Sequence, residues 1–277
     1  MEIVAEIGAS HGQNLETALR LCRGAANSGA DAVKIQVYDK SLAKDDMVLG
    51  TGPWAGKKLS DLYSSAMLPT HFIHEIISEC DNENIGWFSS VFDMKGLELL
   101  EKHQCPRYKI SSFEITQLNL IAEVCKTGKP IVISTGMATF DEIRRAFETA
   151  KFSGAVDITL LKCTTAYPAS LQDANLKTIE HMESSFDCKM GVSDHTLCLS
   201  VPIVCGAMAL DMLERHIKLD SDNETADAAF ATPISRFSQV VEAARDAEDF
   251  SDVLGSISYG PTNEEMQYLS VRKARGG

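Results

Sequence analysis

Short apolar runs alternate with longer amphipathic segments along most of the chain. Eight such runs, starting at residues 2, 32, 86, 107, 130, 158, 189 and 212, read EIVAEIGA, AVKIQVY, GWFSSV, RYKIS, PIVIST, ITLLKC, KMGVSD and MLERHIKL. Runs of this length, rich in β-branched residues, are typical of buried strands. In the segments between them, the apolar residues have the spacing of amphipathic helices. One predicted helix begins at the capping residue Asn14 and ends at Gly29, another runs from Thr139 to Gly154, and a last one covers 234–250.

Eight strand-then-helix units predict an α/β fold, a closed (β/α)8 TIM barrel. An open, doubly wound sheet uses the same alternation, but the count of eight and the lack of a G-x-G-x-x-G motif after the first strand favour the barrel. We expect the barrel to occupy residues 1–260 and a tail or the start of a linker to occupy 261–277. The long connection 39–68, which contains GTGPWAGKKLSDLY, predicts an excursion over the barrel mouth.

Composition narrows the class of protein. With 277 residues and 44% hydrophobic composition, the chain can bury one large core. A formal net charge of −13 argues against a nucleic-acid partner. We find neither an apolar run of transmembrane length nor a leader, so no membrane partner and a cytoplasmic location are expected. The eight cysteines form no C-x-x-C pair, which predicts free thiols.

Polar residues cluster near the ends of the predicted strands. The active site of a barrel is built there, and residues two apart along a strand point to the same face. We therefore expect Lys34 and Gln36 to point inward, together with further polar residues at other strand ends. The same parity places Glu6, Ser193 with His195, and Glu214 with His216 on that face. The segments SSFE and STGM at other strand ends supply Ser111, Ser112, Glu114, Ser134 and Thr135. Two more lysines, Lys109 and Lys162, lie at or near the ends of the fourth and sixth strands.

Each set has a structural and a functional interpretation. Buried lysines could form ion pairs with Glu6, Glu114 or Glu214, but three of them beside hydroxyls and the turn STGM resemble a phosphate and carboxylate site. A single strand-end histidine is more often structural. Two histidines on consecutive strands, at matching depth, leave a metal site and a structural role equally open, and His11 in the first loop stays a candidate.

The motifs together resemble the sialic acid synthase family over nearly the whole chain. The matching segments are AEIGASHGQN, ADAVKIQVY, FSSVFD, YKISSFEIT, ISTGMAT, LLKCTTAYPA, GVSDHT and LERHIKLD. Several features are more similar to the pseudaminic acid synthase branch, namely KCTTAYPA, SFEIT, DANL, WAGKKLSDLY and DAAFA. Family members usually continue into an antifreeze-like domain, and we expect none within this sequence, which ends at SVRKARGG.

The resemblance implies a role for individual residues. His195 and His216 match ligands of a divalent cation, usually Mn²⁺, with Mg²⁺ or Co²⁺ as alternatives, and Glu6 matches the carboxylate at the reacting centre. Positions that hold phosphoenolpyruvate are matched by Lys34, Ser90, Lys109, Ser112, Ser134 and Ser193. Asp227 matches an acid near the metal and sugar, and Gln36 and Tyr167 match lining positions. From the strand-end pattern we add Glu114 and Lys162 as expected substrate-binding residues.

The resemblance implies a synthase that condenses phosphoenolpyruvate with a 2,4-diacetamido-2,4,6-trideoxy hexose to give a pseudaminic-acid-type nonulosonic acid and phosphate. An N-acetylneuraminate or legionaminate type of synthase, acting on another amino sugar, is the first alternative. A Schiff-base aldolase using Lys34, Lys109 or Lys162 and a non-catalytic sugar-binding barrel are further alternatives. The resemblance also allows for assembly as a homodimer.

Overall fold

The computed structural model describes residues 1–43, 47–254, 256, 259 and 261–269. Eight parallel strands follow one another around a closed barrel, because β8 pairs back with β1. A two-residue ninth strand extends the pairing from β8. The strands are β1 (Glu2–Glu6), β2 (Ala32–Val37), β3 (Gly86–Val91), β4 (Tyr108–Ile110), β5 (Ile131–Ser134), β6 (Ile158–Cys163), β7 (Lys189–Asp194), β8 (Met212–Lys218) and β9 (Thr232–Pro233). The predicted TIM barrel is confirmed.

Helices follow the strands in the order that the amphipathic segments predict. They are α1 (Leu15–Asn27), α2 (Leu59–Ala66), α3 (Ile73–Asn82), α4 (Met94–Lys102), α5 (Leu118–Lys126), α6 (Phe140–Phe152), α7 (Thr178–Ser185), α8 (Ser200–Ala207), α9 (Ile234–Asp246) and α10 (Phe250–Leu254). Short 3-10 turns occupy Lys40–Leu42, Thr70–Phe72, Leu171–Asp173, Ala247–Asp249 and Glu265–Tyr268. None of the described helices is long and apolar enough to cross a membrane.

Capping residues explain where two of the predicted helices begin. Asn14 accepts a hydrogen bond from the backbone N–H of Thr17 at the start of α1. Thr139 and Glu142 form a reciprocal capping box at the start of α6. The predicted helix over 234–250 is not continuous, because α9 ends at Asp246 and a 3-10 turn separates it from α10. The expected boundary at 260 and the end of the tail, 270–277, lie outside the described residues.

Alternation along the strands separates an outer face from an inner one. Outward side chains such as Ile3, Val33 and Ile133 are fully or nearly fully buried against the surrounding helices in one continuous apolar core. Inward side chains become polar toward the carboxyl ends of the strands, where Lys34, Lys109 and their neighbours lie. A period of two residues therefore directs the apolar face to the helices and collects the polar groups in the barrel.

The long connection after β2 covers one side of the barrel mouth. Val48 forms an antiparallel bridge with Lys58, and α2 follows directly. The indole Nε1 of Trp54 donates to the backbone oxygen of Ala226 at 2.6 Å, and its ring packs on Tyr167. The excursion predicted for 39–68 thus reaches the opposite side of the mouth, while residues 44–46 of that segment lie outside the described residues.

Candidate active site

Two lysines and two glutamates form a buried charge cluster inside the barrel. The Nζ atom of Lys34 lies 2.5 Å from Glu6 Oε2 and 3.4 Å from Glu214 Oε2. Lys109 Nζ donates to both carboxylate oxygens of Glu214, each at 3.0 Å. All four side chains are almost completely buried. Glu214 therefore bridges the two lysines, and the cluster balances two positive charges with two negative ones.

The cluster fixes the protonation of its members in different ways. Burial favours the neutral form of Glu214 and would raise its pKa, but the ammonium groups of Lys109 and Lys34 outweigh burial and hold the pKa well below the usual carboxyl range. Burial works against the ammonium of Lys34, yet Glu214 and Glu6 raise its pKa above the ordinary lysine value. For Lys109 burial dominates and the pKa is lowered. Glu214 therefore stays a carboxylate and Lys34 an ammonium.

Hydroxyl and amide groups surround the cluster. Lys34 donates to Ser90 Oγ at 3.0 Å, and Ser193 Oγ donates to Glu214 Oε1 at 2.9 Å. Gln36 donates from Nε2 to Glu6 Oε1 at 2.9 Å. The buried hydroxyl of Ser134 has no hydrogen-bond partner among the described residues. An unpaired buried hydroxyl costs free energy, so Ser134 is suited to bind a ligand oxygen.

Two histidines stand side by side above this cluster. The ring centroids of His195, directly after β7, and His216 on β8 are 5.5 Å apart. His195 Nδ1 lies 2.9 Å from the backbone oxygen of Thr164. A carbonyl oxygen can only accept, so Nδ1 carries the proton and donates to it, and in the neutral ring Nε2 then has a free lone pair. This tautomer is the one that a metal-binding histidine needs.

Asp227 joins the loop after β8 to the first strand-end loop. Its Oδ2 accepts from the backbone N–H of Ala9 at 2.8 Å and lies 3.1 Å from His216 Nδ1. Burial would raise the pKa of Asp227, but His216 and the Ala9 amide outweigh it and lower the pKa. Gly8 adopts φ +50°, and a Cβ there would lie 2.1 Å from Asp227 Oδ2. Only glycine leaves space for this carboxylate beside His216.

His11 lies close to this acid. It is buried, and its Nδ1 accepts from the backbone N–H of Gln13 at 2.9 Å. Burial lowers the pKa of His11 to about 4, although the charge of Asp227 acts in the opposite direction. Its Nε2 has no hydrogen-bond partner within the described part of the chain. His11 is therefore a neutral imidazole at the edge of the site, with one ring nitrogen still unpaired.

Aromatic rings form one wall beside the histidines. The ring of Tyr167 lies 4.5 Å from that of His195 and 4.7 Å from that of Phe230, and Phe230 lies 5.0 Å from His216. Trp54 packs on both Tyr167 and Phe230. Sequence reasoning misses Phe230 and Trp54. Both lie in segments that carry the resemblance, DAAFA and WAGKK, and that position was the available signal.

The structure does not bring Lys162 into the cluster. Strand register pairs Lys162 with Val192 and Cys163 with Ser193, so Cys163 faces inward and Lys162 faces outward. The Nζ atom of Lys162 donates to the backbone oxygen of Cys163 at 3.1 Å. The expected placement of Lys162 is corrected, because a strand-end lysine with the wrong parity points out of the barrel.

Cys163 occupies the inward position instead. Its Sγ lies 4.0 Å from His195 Nδ1. Burial alone would raise the pKa of this thiol, but the neighbouring imidazole outweighs burial and lowers the pKa to about 7. The parity rule applied to β6 would have selected this residue from the sequence.

Ser112 and Glu114 lie in the loop after β4, at the rim. Ser112 Oγ accepts from the backbone N–H of Gly136 at 3.0 Å. Glu114 accepts a hydrogen bond from Ser111 Oγ and pairs with none of the lysines. Burial raises the pKa of Glu114 to about 7, despite the hydrogen bond from Ser111. Of the three glutamates that the sequence offered as lysine partners, Glu6 and Glu214 fill that role.

The donor set fits a cation bound by two imidazoles. His195 and His216 are neighbours, and the neutral tautomer of His195 that donates from Nδ1 to Thr164 would present its Nε2 lone pair to a cation. Within the described ranges, no group of three or more His, Cys, Asp or Glu side chains is placed to hold a metal ion. Two imidazoles leave several coordination positions open, as a catalytic metal that binds substrate requires. The arrangement can therefore combine anion binding by lysines, proton transfer by carboxylates and ligation of a cation.

Comparisons with known proteins show which proteins this chain is similar to. Residues 21–256 match the NeuB family. The chain is 38% identical to a pseudaminic acid synthase of Helicobacter pylori, covering 88% of this chain and 73% of the relative. It is 37% identical to a pseudaminic acid synthase of Campylobacter jejuni over 89% of this chain and 73% of the relative. An N,N'-diacetyllegionaminic acid synthase of Legionella pneumophila is 32% identical over 95% and 76%.

A solved structure extends the likeness to the backbone. The N-acetylneuraminic acid (sialic acid) synthetase of Leptospira borgpetersenii, crystallised in complex with citrate, superposes with a TM-score of 0.81 at 25% identity. The match covers 98% of this chain and 91% of that one.

Proposed function

Because the chain belongs to the NeuB family, we propose that it is a synthase that joins phosphoenolpyruvate to the open-chain form of an amino sugar and releases phosphate. The pseudaminic acid synthases at 36–38% identity support a 2,4-diacetamido-2,4,6-trideoxy hexose as the sugar. The product would then be a nonulosonic acid of the pseudaminic type. The relative named for legionaminic acid, at 32% identity, supports a different amino sugar as the second candidate.

One observation carries the proposal: a buried cluster of Lys34, Lys109, Glu6 and Glu214 lies next to two histidines at the carboxyl end of the barrel. Two lysines and the hydroxyls of Ser90, Ser134 and Ser193 suit a small ligand that carries both a phosphate and a carboxylate. Phosphoenolpyruvate has both groups on adjacent atoms. The aromatic wall of Tyr167, Phe230 and Trp54 suits the less polar face of a deoxy sugar.

The reaction balances without any redox partner. Carbon 3 of phosphoenolpyruvate forms a carbon–carbon bond with the aldehyde carbon, and the aldehyde oxygen takes up a proton. Water adds to the positively charged carbon 2 and gives up a proton. The bond between carbon 2 and the bridging oxygen then breaks, phosphate leaves with the electron pair, and the carbon 2 hydroxyl gives its proton to the phosphate as it becomes the carbonyl of the product. Loss of phosphate makes the condensation effectively irreversible.

Individual side chains have different roles in this reaction. Lys34 stays an ammonium beside Glu6 and Glu214, and it is suited to hold the anionic substrate throughout the reaction. Glu6 is completely buried at the carboxyl end of β1, where its carboxylate can take the proton that the attacking water releases. Gln36, bonded to Glu6 Oε1, orients that carboxylate.

His195 and His216 would hold the divalent cation, with Mn²⁺ as the first choice and Mg²⁺ or Co²⁺ as alternatives. When bound, such a cation supplies Lewis-acid polarisation of the sugar aldehyde. Asp227 lies 3.1 Å from His216 Nδ1 and can fix the orientation of that ring.

Schiff-base chemistry is less well supported. An imine-forming lysine must be a neutral amine, whereas two carboxylates raise the pKa of Lys34. The pKa of Lys109 is lowered, but its Nζ donates to both oxygens of Glu214. Lys162 faces away from the site. Borohydride trapping with pyruvate, measured by mass spectrometry, is expected to leave the protein unmodified.

The test measures phosphate release with phosphoenolpyruvate, Mn²⁺ and a panel of sugars. The panel contains 2,4-diacetamido-2,4,6-trideoxy-altrose, other diacetamido trideoxy hexoses and N-acetylmannosamine. Release that depends on the altrose derivative and stops with EDTA is the expected result. Exclusive use of N-acetylmannosamine would contradict the pseudaminic assignment, and failure of the folded protein to release phosphate with any of these sugars would contradict the synthase.

Variants test the role of the histidines separately from turnover. His195→Ala should lose turnover and also weaken Mn²⁺ binding measured by calorimetry. His74→Ala is the matched control, because His74 lies on the exposed face of α3, outside the barrel. Unchanged Mn²⁺ binding in His195→Ala would remove this residue from the metal site.

A further inference from the structure

A cavity lies on the outer side of the barrel wall, away from the inward charge cluster. We call it the outer pocket. It has a volume of about 340 Å³ and is bounded by β8, by the loop before α8 and by the first turns of α9. Its polar lining residues are Arg215, Lys218, Thr232, Arg236 and Gln239. Three of these are cations and none is an acid, in a chain whose formal net charge is −13.

Arg215 brings an incompletely satisfied guanidinium to the outer pocket. The side chain is only 2% exposed and projects from β8 on the face opposite Glu214 and His216. Its Nη2 donates to Asp194, to Thr196 Oγ1 and to the backbone oxygen of Cys198. Its Nε has no partner among the residues that the structure describes. A buried donor left unpaired is costly, and a ligand acceptor in the pocket would satisfy it.

Thr232 adds a second unpaired buried group. It is 6% exposed, lines the outer pocket, and its Oγ1 lacks a hydrogen-bond partner in the described part of the chain. In the strand register Thr232 is paired with Ile217, two residues from Arg215 on β8. The two unpaired groups therefore lie on the same side of the barrel wall.

Among the described residues, no carboxylate forms an ion pair with either of the other two cations. Lys218 Nζ donates to the backbone oxygens of Asp222 at 2.7 Å and Ala228 at 2.8 Å, which do not cancel its charge. Arg236 is exposed in the first turn of α9. Asp194 contacts this group of cations through Arg215. Among the residues that line the outer pocket, positive charges still outnumber negative ones.

The start of α9 is a further source of positive potential, which the carboxylate of Asp220 offsets in part. The helix is 13 residues long and begins at Ile234, so its first amides and its dipole favour an anion at this end. Asp220 accepts from the Ser235 N–H at 3.2 Å and uses one of these amides. No side chain caps the helix from Pro233.

From these features we propose that the outer pocket binds a phosphate group, free or carried on a small metabolite. Arg236 and the start of α9 would contact the charge from the open side, and Arg215 and Thr232 from the buried side. A volume of about 340 Å³ exceeds what a single phosphate needs and matches the lower range of small-molecule sites. The site is separate from the barrel interior and does not depend on the reaction proposed above.

The test is calorimetric titration of the full chain with inorganic phosphate and, in a second arm, with glucose 6-phosphate. Arg236→Gln removes an exposed charge, and Thr232→Val removes only the unpaired hydroxyl. Arg236→Gln is expected to weaken phosphate binding about tenfold, the equivalent of one charge-assisted hydrogen bond. Tighter binding of the ester than of free phosphate would identify a metabolite as the source. The reverse order would identify the free ion.

Two control variants make the outcome decisive. Arg20→Gln removes an exposed arginine on α1, outside the pocket, and should bind phosphate like the wild-type protein. Ser90→Ala changes the barrel interior and should leave the outer pocket unaffected. The proposal is overturned if Arg236→Gln and Thr232→Val both bind phosphate like Arg20→Gln. It is also overturned if binding is weakened by Ser90→Ala alone, because the phosphate would then lie in the barrel.

Discussion

Removing the charge of Glu214 should destabilise the fold more than any exposed charge change. Glu214→Gln keeps the shape of the side chain but deletes the carboxylate that lies 3.0 Å from Lys109 Nζ and 3.4 Å from Lys34 Nζ. Glu6 would then be the one remaining carboxylate of the cluster. Two buried ammonium groups would face a single negative charge, and Lys109 would keep no charged partner among its described contacts.

The magnitude follows from the two distances. At an effective dielectric constant of about 20, unit charges 3.0 Å apart attract by about 5.5 kcal/mol, and charges 3.4 Å apart by about 5 kcal/mol. Part of this attraction only offsets the cost of burying the ions. Breaking a buried pair by removing one partner usually costs about 3–5 kcal/mol. We therefore expect the free energy of unfolding to fall by about 3–5 kcal/mol at pH 7.

The pH dependence gives a second signature. In the wild type the folded-state pKa of Glu214 lies below the ordinary 4.5, so its stabilisation is complete above that value and is lost as the pH falls. In the variant, the pKa of Lys109, which burial already lowers, falls further because the charge of Glu214 no longer raises it. The unfolded state then binds more protons than the folded state, so stability rises with pH. The difference in the free energy of unfolding between the wild type and the variant should therefore shrink as the pH approaches the ordinary lysine value of 10.5.

The assay is urea denaturation of both proteins at pH 6.5 and pH 9.5. Glu148→Gln is the matched control, because Glu148 pairs with Arg144 on the surface of α6, with both side chains nearly half exposed. That change should cost about 0.3–0.5 kcal/mol. A Glu214→Gln deficit as small as that of the control, or one that grows at high pH, would refute the reasoning from the buried cluster.

Two further predictions concern single residues. Burial raises the folded-state pKa of Glu114 from 4.5 to about 7, so the stability that Glu114 contributes should be complete below pH 4.5 and should be lost, by about 3 kcal/mol, as the pH rises through 7. Glu114→Gln should lack this decrease, and urea denaturation at pH 5 and pH 8 compares the two proteins; parallel curves would contradict the assignment. Thr139→Ala removes the capping box with Glu142 and should lower the free energy of unfolding by about 1 kcal/mol. Thr149→Ala, inside the same helix, should be neutral or slightly stabilising, and equal losses in both variants would show that the cap contributes nothing.

The strand and helix pattern was readable without the structure because it depends on local periodicity. Eight β-rich runs became eight barrel strands, and Asn14 and Thr139 mark the starts of α1 and α6. The period of two residues also placed Lys34 and Gln36 on the inward face. On β6 the expectation names Lys162 without using this rule, and the structure directs Cys163 inward instead.

Only the tertiary structure decides which side chains of the site pair with one another. The sequence offered three glutamates for the lysines, and only register and barrel closure decide that Glu214 bridges Lys34 and Lys109 while Glu114 bonds Ser111. Closure pairs β8 with β1 and so places His216 level with Glu6.

The sequence by itself determined which residues face the barrel interior and where elements begin, because side-chain direction and capping depend on neighbours a few positions away. Contacts such as Asp227 with the Ala9 amide, 218 residues apart, exist only once the chain has closed on itself. The outer pocket is of the same kind, since Arg215 and Thr232 share it through the pairing of β8 with β9. Long-range register depends on the packing of the whole chain, and local pattern cannot encode it.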